Sequence, residues 1–151
     1  MPKIIISDTS CLIILTNIGE LELLHKLYGK ITTTLDIATE YGEPLPEWIE
    51  IVNAADKSKQ QLLELQIDKG ESSAIALALE IPDCIIILDD HKARKIASLL
   101  GLTYTGTIGV IVKAKLQGVI PGIKPILTKI KKAGFRLSED IELEALKQSG
   151  E

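Results

Sequence analysis

The chain is nearly free of aromatic residues, with one Phe, one Trp and three Tyr among 151 positions. Its interior must therefore be built from Ile, Leu, Val and Ala. Cysteine is almost as scarce. Cys11 follows the carboxyl end of the first expected strand, and Cys84 precedes the fourth. On neighbouring parallel strands they would lie roughly 15 Å or more apart at about 3.3 Å per residue. A disulfide needs Cα atoms within about 7 Å, so both are read as reduced core residues. His25 and His91 are the only histidines and no Cys/His cluster exists, which argues against zinc. No apolar run approaches the roughly 20 residues of a spanning helix. Met1-Pro2-Lys3 leads straight into a strand with no signal-peptide pattern, so the expectation is a cytoplasmic protein that avoids membranes. The absence of G-x-x-x-x-G-K-[ST] and of G-x-G-x-x-G removes nucleotide-binding loops. Internal repeats and low-complexity linkers are missing too. With 46% apolar residues, residues 1–151 read as a single domain with a proper core.

One further absence is local. From His91 to Ser138 there is no Asp or Glu, while ten of the seventeen basic residues fall there: Lys92, Arg94, Lys95, Lys113, Lys115, Lys124, Lys129, Lys131, Lys132 and Arg136. The net charge of −4 would argue against a nucleic-acid partner. The asymmetry argues for a polyanion, against the alternative of solvated helix faces.

What the chain does have is two buried strands that end in acid. Ile85-Ile86-Ile87-Leu88 is a continuous aliphatic run of the kind buried on both faces of a parallel sheet, and Asp89-Asp90 follows at once. Ile4-Ile5-Ile6-Ser7 runs into Asp8 in the same way. Adjacent acids at the end of a buried strand oppose stability through repulsion and desolvation. The remaining pattern alternates short strands (31–33, 48–52, 102–104) with helices (11–17, 20–28, 34–41, 60–65, 71–80, 92–100, 108–117, 125–133, and one starting at Ser138). It predicts a three-layer α/β/α sandwich with a mostly parallel sheet in the order 3-2-1-4-5. The switch point then falls between the first and fourth strands, and Asp8, Asp89 and Asp90 meet at one rim.

Two further acids share that rim. Glu40 closes the third helix, where the dipole disfavours an anion. Glu71 heads the apolar face formed with Ala74, Ile75, Ala78 and Leu79. Oxygen-only ligands suit Mg²⁺ or Mn²⁺, which activate water and stabilise the leaving oxygen of a phosphoryl displacement. Haloacid-dehalogenase-like phosphatases need Asp-x-Asp after the first strand, where this chain has Asp8-Thr9-Ser10. Receiver domains carry their acidic pair after the first strand, the reverse of the order here.

Asp8-Thr9-Ser10, Glu40, Gly70-Glu71-x-x-Ala74-Ile75 and Leu88-Asp89-Asp90-x-x-Ala93-Arg94 together resemble the PIN-domain ribonucleases. The branch they look like is the one related to toxins of toxin–antitoxin pairs, as do Gly106-Thr107-Ile108-Gly109, Ala114-Lys115 and Gly134-Phe135. The resemblance spans nearly the whole chain. It implies a metal-dependent endoribonuclease acting on RNA, often a homodimer, and it raises the expectation of an antitoxin partner. It implies Asp8, Glu40 and Asp90 as metal ligands, with Glu71 and Asp89 also catalytic and Asp89 able to share or replace Asp90. Glu71 stands where many members carry Asp. Lys92, Arg94, Lys95, Lys113 and Lys115 are the expected nucleic-acid contacts. The competing readings are a nucleic-acid-binding module with a vestigial site and a phosphatase acting on a small substrate.

Overall fold

The β-branched runs form short parallel strands, and the acids and hydroxyls that follow them start helices. In a computed structural model, which describes residues 3–151, the strands are β1 (Ile4–Ser7), β2 (Ile31–Thr33), β3 (Ile49–Ile51), β4 (Cys84–Ile87) and β5 (Tyr104–Thr105). They form one sheet in the order β3-β2-β1-β4-β5, and every pairing is parallel. Ile4, Ile5, Ile6 and Ser7 of β1 register with Cys84, Ile85, Ile86 and Ile87 of β4. Both strands therefore end at the same level, and Asp8 continues one as Leu88-Asp89 continues the other.

The flanking helices are α1 (Thr9–Asn17), α2 (Glu22–Tyr28), α3 (Leu35–Tyr41), α4 (Lys57–Leu63), α5 (Lys69–Glu80), α6 (His91–Leu99), α7 (Thr107–Leu116), α8 (Lys124–Lys132) and α9 (Glu139–Ser149). α3 and α4 pack against α5, and α2 and α9 pack against α7. The core between helices and sheet is almost wholly aliphatic, with Ile6, Leu12, Leu24, Ile75, Ile86, Leu88 and Ile111 fully buried. Cys11 is buried and Cys84 partly buried, and both are free thiols, as expected.

Several boundaries differ from the sequence reading, and side-chain caps account for three of the helix starts. α1 begins at Thr9, not Cys11, because Asp8 accepts the N–H of Cys11 (2.9 Å). α5 begins at Lys69 because Asp68 accepts the N–H of Glu71 (2.8 Å), which makes Asp68-x-x-Glu71 the start of the helix rather than a turn before it. α4 begins at Lys57, not Gln60, because Asp56 accepts the N–H of Ser58 (2.9 Å). The fourth strand lies one residue earlier than expected, at Cys84–Ile87. The fifth shifts from 102–104 to Tyr104–Thr105.

Candidate active site

The carboxyl ends of β1 and β4 are tied together by the side chain of Asp8. Its Oδ1 caps α1, and its Oδ2 accepts the backbone N–H of Asp89 (2.9 Å). Asp8 also donates its own N–H to the carbonyl of Ile87 (3.1 Å). It is 2% exposed. Burial, and after it the negative charge of Asp89, push its pKa up to about 7 against the pull of the two N–H donors.

The neighbouring acids are held by different devices. Asp89 accepts the N–H and the hydroxyl of Thr107 (2.8 and 2.5 Å), so it fixes the start of α7. An Arg94 guanidinium nitrogen lies 3.8 Å from its Oδ1, while Arg94 Nε donates to the Leu88 carbonyl (2.6 Å) and the guanidinium sits 5.8 Å from the centre of the Tyr104 ring. Asp90 caps α6 through Ala93 (2.9 Å) and is otherwise exposed. Glu40, on the last turn of α3, accepts the Thr9 hydroxyl. Gly70 lets α5 come this close, since a Cβ there would stand 2.9 Å from Glu40 Oε1 and 3.4 Å from Thr9 Oγ1. Glu71 is pushed up to about 7, first by burial and then by Asp68 and Asp90.

Asp8, Glu40, Asp68 and Glu71 line one cleft of about 210 Å³ with Thr9, Ser10 and Ile13, and no basic side chain joins them. The structure thus brings Asp8, Glu40 and Glu71 together, with Asp90 close enough to act on Glu71 through its charge. Among the described residues, no three Asp, Glu, His or Cys side chains already converge on one ion position. The donor chemistry nevertheless suits a hard cation. The set is oxygen only, and two of its carboxyls are pushed up to about 7, first by burial and then by neighbouring carboxylates. Asp90 and Glu40 each have one carboxylate oxygen engaged in the contacts above.

The sequence reading gave no site role to Asp68, Thr9 or Thr107. The signal for Asp68 was its spacing to Glu71, three residues before an acid at a helix start. Thr9 and Thr107 stand in motifs that carry the resemblance, but what they bond to was not legible, because their partners lie 31 and 18 residues away.

The expected phosphate contacts divide in two. Lys92 and Lys95 are exposed on α6, which starts at the rim. Arg94 is turned inward as described. Lys113 and Lys115 lie at the other end of α7, roughly 9–12 Å along the axis from Thr107 at about 1.5 Å per residue. There Lys113 covers the Tyr28 ring (5.1 Å) and Lys115 donates to the Ser149 carbonyl (3.2 Å). His25 is engaged by the Gly29 carbonyl (2.7 Å) and stacks on Trp48, while His91 is the exposed first residue of α6.

Among the described residues, no helix is long and apolar enough to cross a membrane. No curated protein matches the chain. A family model described as DUF3368, a PIN domain, matches residues 4–151. PIN domains are typically nucleases and generally use divalent metal ions. The all-parallel 3-2-1-4-5 sheet, the acids at the ends of its two central strands and a match over nearly every residue agree: this chain belongs to the PIN-domain family.

Proposed function

We infer that the protein is a Mg²⁺- or Mn²⁺-dependent endoribonuclease that hydrolyses phosphodiester bonds of RNA. The observation that carries this reading is the cleft of Asp8, Glu40, Asp68 and Glu71, a concentration of carboxylates with no cation from the chain to balance it. Asp8, Glu40 and Asp90 are the proposed metal ligands, with Glu71 and Asp89 beside them. A divalent ion bound there supplies charge stabilisation on the phosphate and a nucleophilic water at neutral pH.

The chain's own residues do the rest. Asp8 is fixed by two backbone N–H groups, so its carboxylate cannot swing away. Thr9 orients Glu40. Glu71, with its pKa raised to about 7, can hold or release a proton near neutral pH. Asp89 serves mainly as a support, because Thr107 and Arg94 occupy its oxygens. Lys92 and Lys95 supply exposed positive charge where a phosphate chain would approach.

The test is cleavage of single-stranded RNA with Mn²⁺ and with chelator. Glu71→Gln keeps shape and removes the charge. Its activity should fall by orders of magnitude with little change in stability. Cleavage at the parent rate would remove Glu71 from the site. The resemblance to toxins extends the proposal to a toxin held by an antitoxin, and to a homodimer. Growth arrest on induction, absent for Glu71→Gln, and light scattering of the purified chain read these two points.

A further inference from the structure

A second cavity, of about 410 Å³, lies beside the acidic cleft and shares Asp89 with the rim. Its walls include Ile108 of α7, Ile141 of α9, and Phe135 and Leu137 from the segment between α8 and α9. Arg94 and Arg136 also line it. The chain has a single Phe, and it lines this cavity, half-buried and packed against the edge of the core. Gly134 ends α8 with φ +89° and turns the chain back, so that the Phe135 N–H reaches the Ile130 carbonyl (3.2 Å). Gly106 leaves room for Arg94, because a Cβ there would collide with the guanidinium and stand 3.1 Å from Asp89 Oδ1.

The geometry points to a subsite for one unstacked base of single-stranded RNA, next to the phosphate held at the acidic rim. This deepens the ribonuclease reading and rests on it for the identity of the polymer. The volume falls in the range of about 300–1,000 Å³ typical of small-ligand pockets. The aliphatic walls and the Phe135 ring suit the faces of a base. The charges suit the backbone on either side of it. Arg136 is exposed and forms no ion pair with an acid among the described residues, and Asp89, the one acid lining the cavity, is already engaged by Thr107 and Arg94. An apolar peptide would find the same walls but would leave the exposed charge of Arg136, next in the chain to Phe135, without a partner.

The experiment uses the full chain in chelator, so that binding is read without cleavage. The probes are short single-stranded oligoribonucleotides carrying 2-aminopurine, or an abasic nucleotide, at successive positions. One position is expected to show quenched 2-aminopurine fluorescence on binding. Removing the base there should weaken binding roughly tenfold, the scale of one stacked base. Phe135→Leu, which keeps apolar bulk, should abolish both effects. Arg136→Ala, at an exposed position, should weaken every oligomer alike and lower the salt slope by about 0.7. Failure of the parent to bind, or binding indifferent to the abasic scan, overturns the subsite, including the case in which the cavity instead docks a protein segment. Adding Mn²⁺ separates the two readings. A base-dependent complex that is never cleaved leaves the subsite standing and defeats the ribonuclease. Cleavage that ignores the abasic nucleotide does the reverse.

Discussion

At the scale of single residues, Asp8 carries the clearest consequence. Its folded-state pKa is raised from 3.8 to about 7, so the folded protein binds its proton more tightly than the unfolded chain does. The stability this contributes is fully present below about pH 4 and is lost as pH rises through about 7. Glu71, raised from 4.5 to about 7, has the same sign. In chelator, urea unfolding should therefore show stability declining between pH 4 and pH 8, and Asp8→Asn should flatten the decline. The amide also exchanges one acceptor for a donor facing a backbone N–H, at Cys11 or Asp89, so that variant loses a buried hydrogen bond. The pH slope, rather than absolute stability, is the quantity to compare. An unchanged slope would mean that Asp8 titrates alike in both states. That Asp8 mattered was legible in the sequence, because an acid closing an Ile-Ile-Ile strand has no packing explanation. That it doubles as a clamp on Asp89 was not, since its partner lies 81 positions away.

At the scale of elements, the rim depends on how closely α5 approaches α3. Gly70 sets that distance. Gly70→Ala introduces a methyl group 2.9 Å from Glu40 Oε1, while Ala gains up to about 1 kcal/mol of helix propensity over Gly. The two effects oppose each other in stability and not in function. Denaturation midpoints should stay close to the parent while metal-dependent cleavage falls. Equal cleavage by both proteins would show that Glu40 has room to move without cost. The sequence placed the helices well, because apolar periodicity and terminal glycines mark them. It misjudged several starts, because Asp8, Asp56 and Asp68 each satisfy an N–H earlier than the apolar pattern begins. The fifth strand was displaced because two residues of β structure carry no periodicity at all.

At the scale of the whole molecule, the acid-free window from His91 to Ser138 does not form one surface. It spans α6, β5, α7 and α8, and its charges reach different ends of the fold. Of its charged residues, only those of α6 and Arg136 adjoin the rim or its neighbouring cavity. Replacing Lys92 and Lys95 by Ala should weaken binding to single-stranded RNA and reduce the slope of log K against log salt by about 1.4, at about 0.7 per phosphate. Replacing Lys113 and Lys115 should leave that slope unchanged and affect stability through Tyr28 and Ser149 instead. Equal salt slopes for the two double variants would place the RNA path elsewhere. Charge counting could find the asymmetry but not this division, which depends on the direction of α7 relative to the sheet.

Three of the rim acids are also helix caps: Asp8 for α1, Asp68 for α5 and Asp90 for α6. Glu40 and Glu71 hold no such post. A lineage of this chain released from selection for catalysis would still be selected to fold. It would keep the three aspartates for many generations while the two glutamates drifted. In descendants of this protein, the fate of Glu40 and Glu71 is therefore the record of whether the chemistry was retained, and the persistence of Asp8, Asp68 and Asp90 is not.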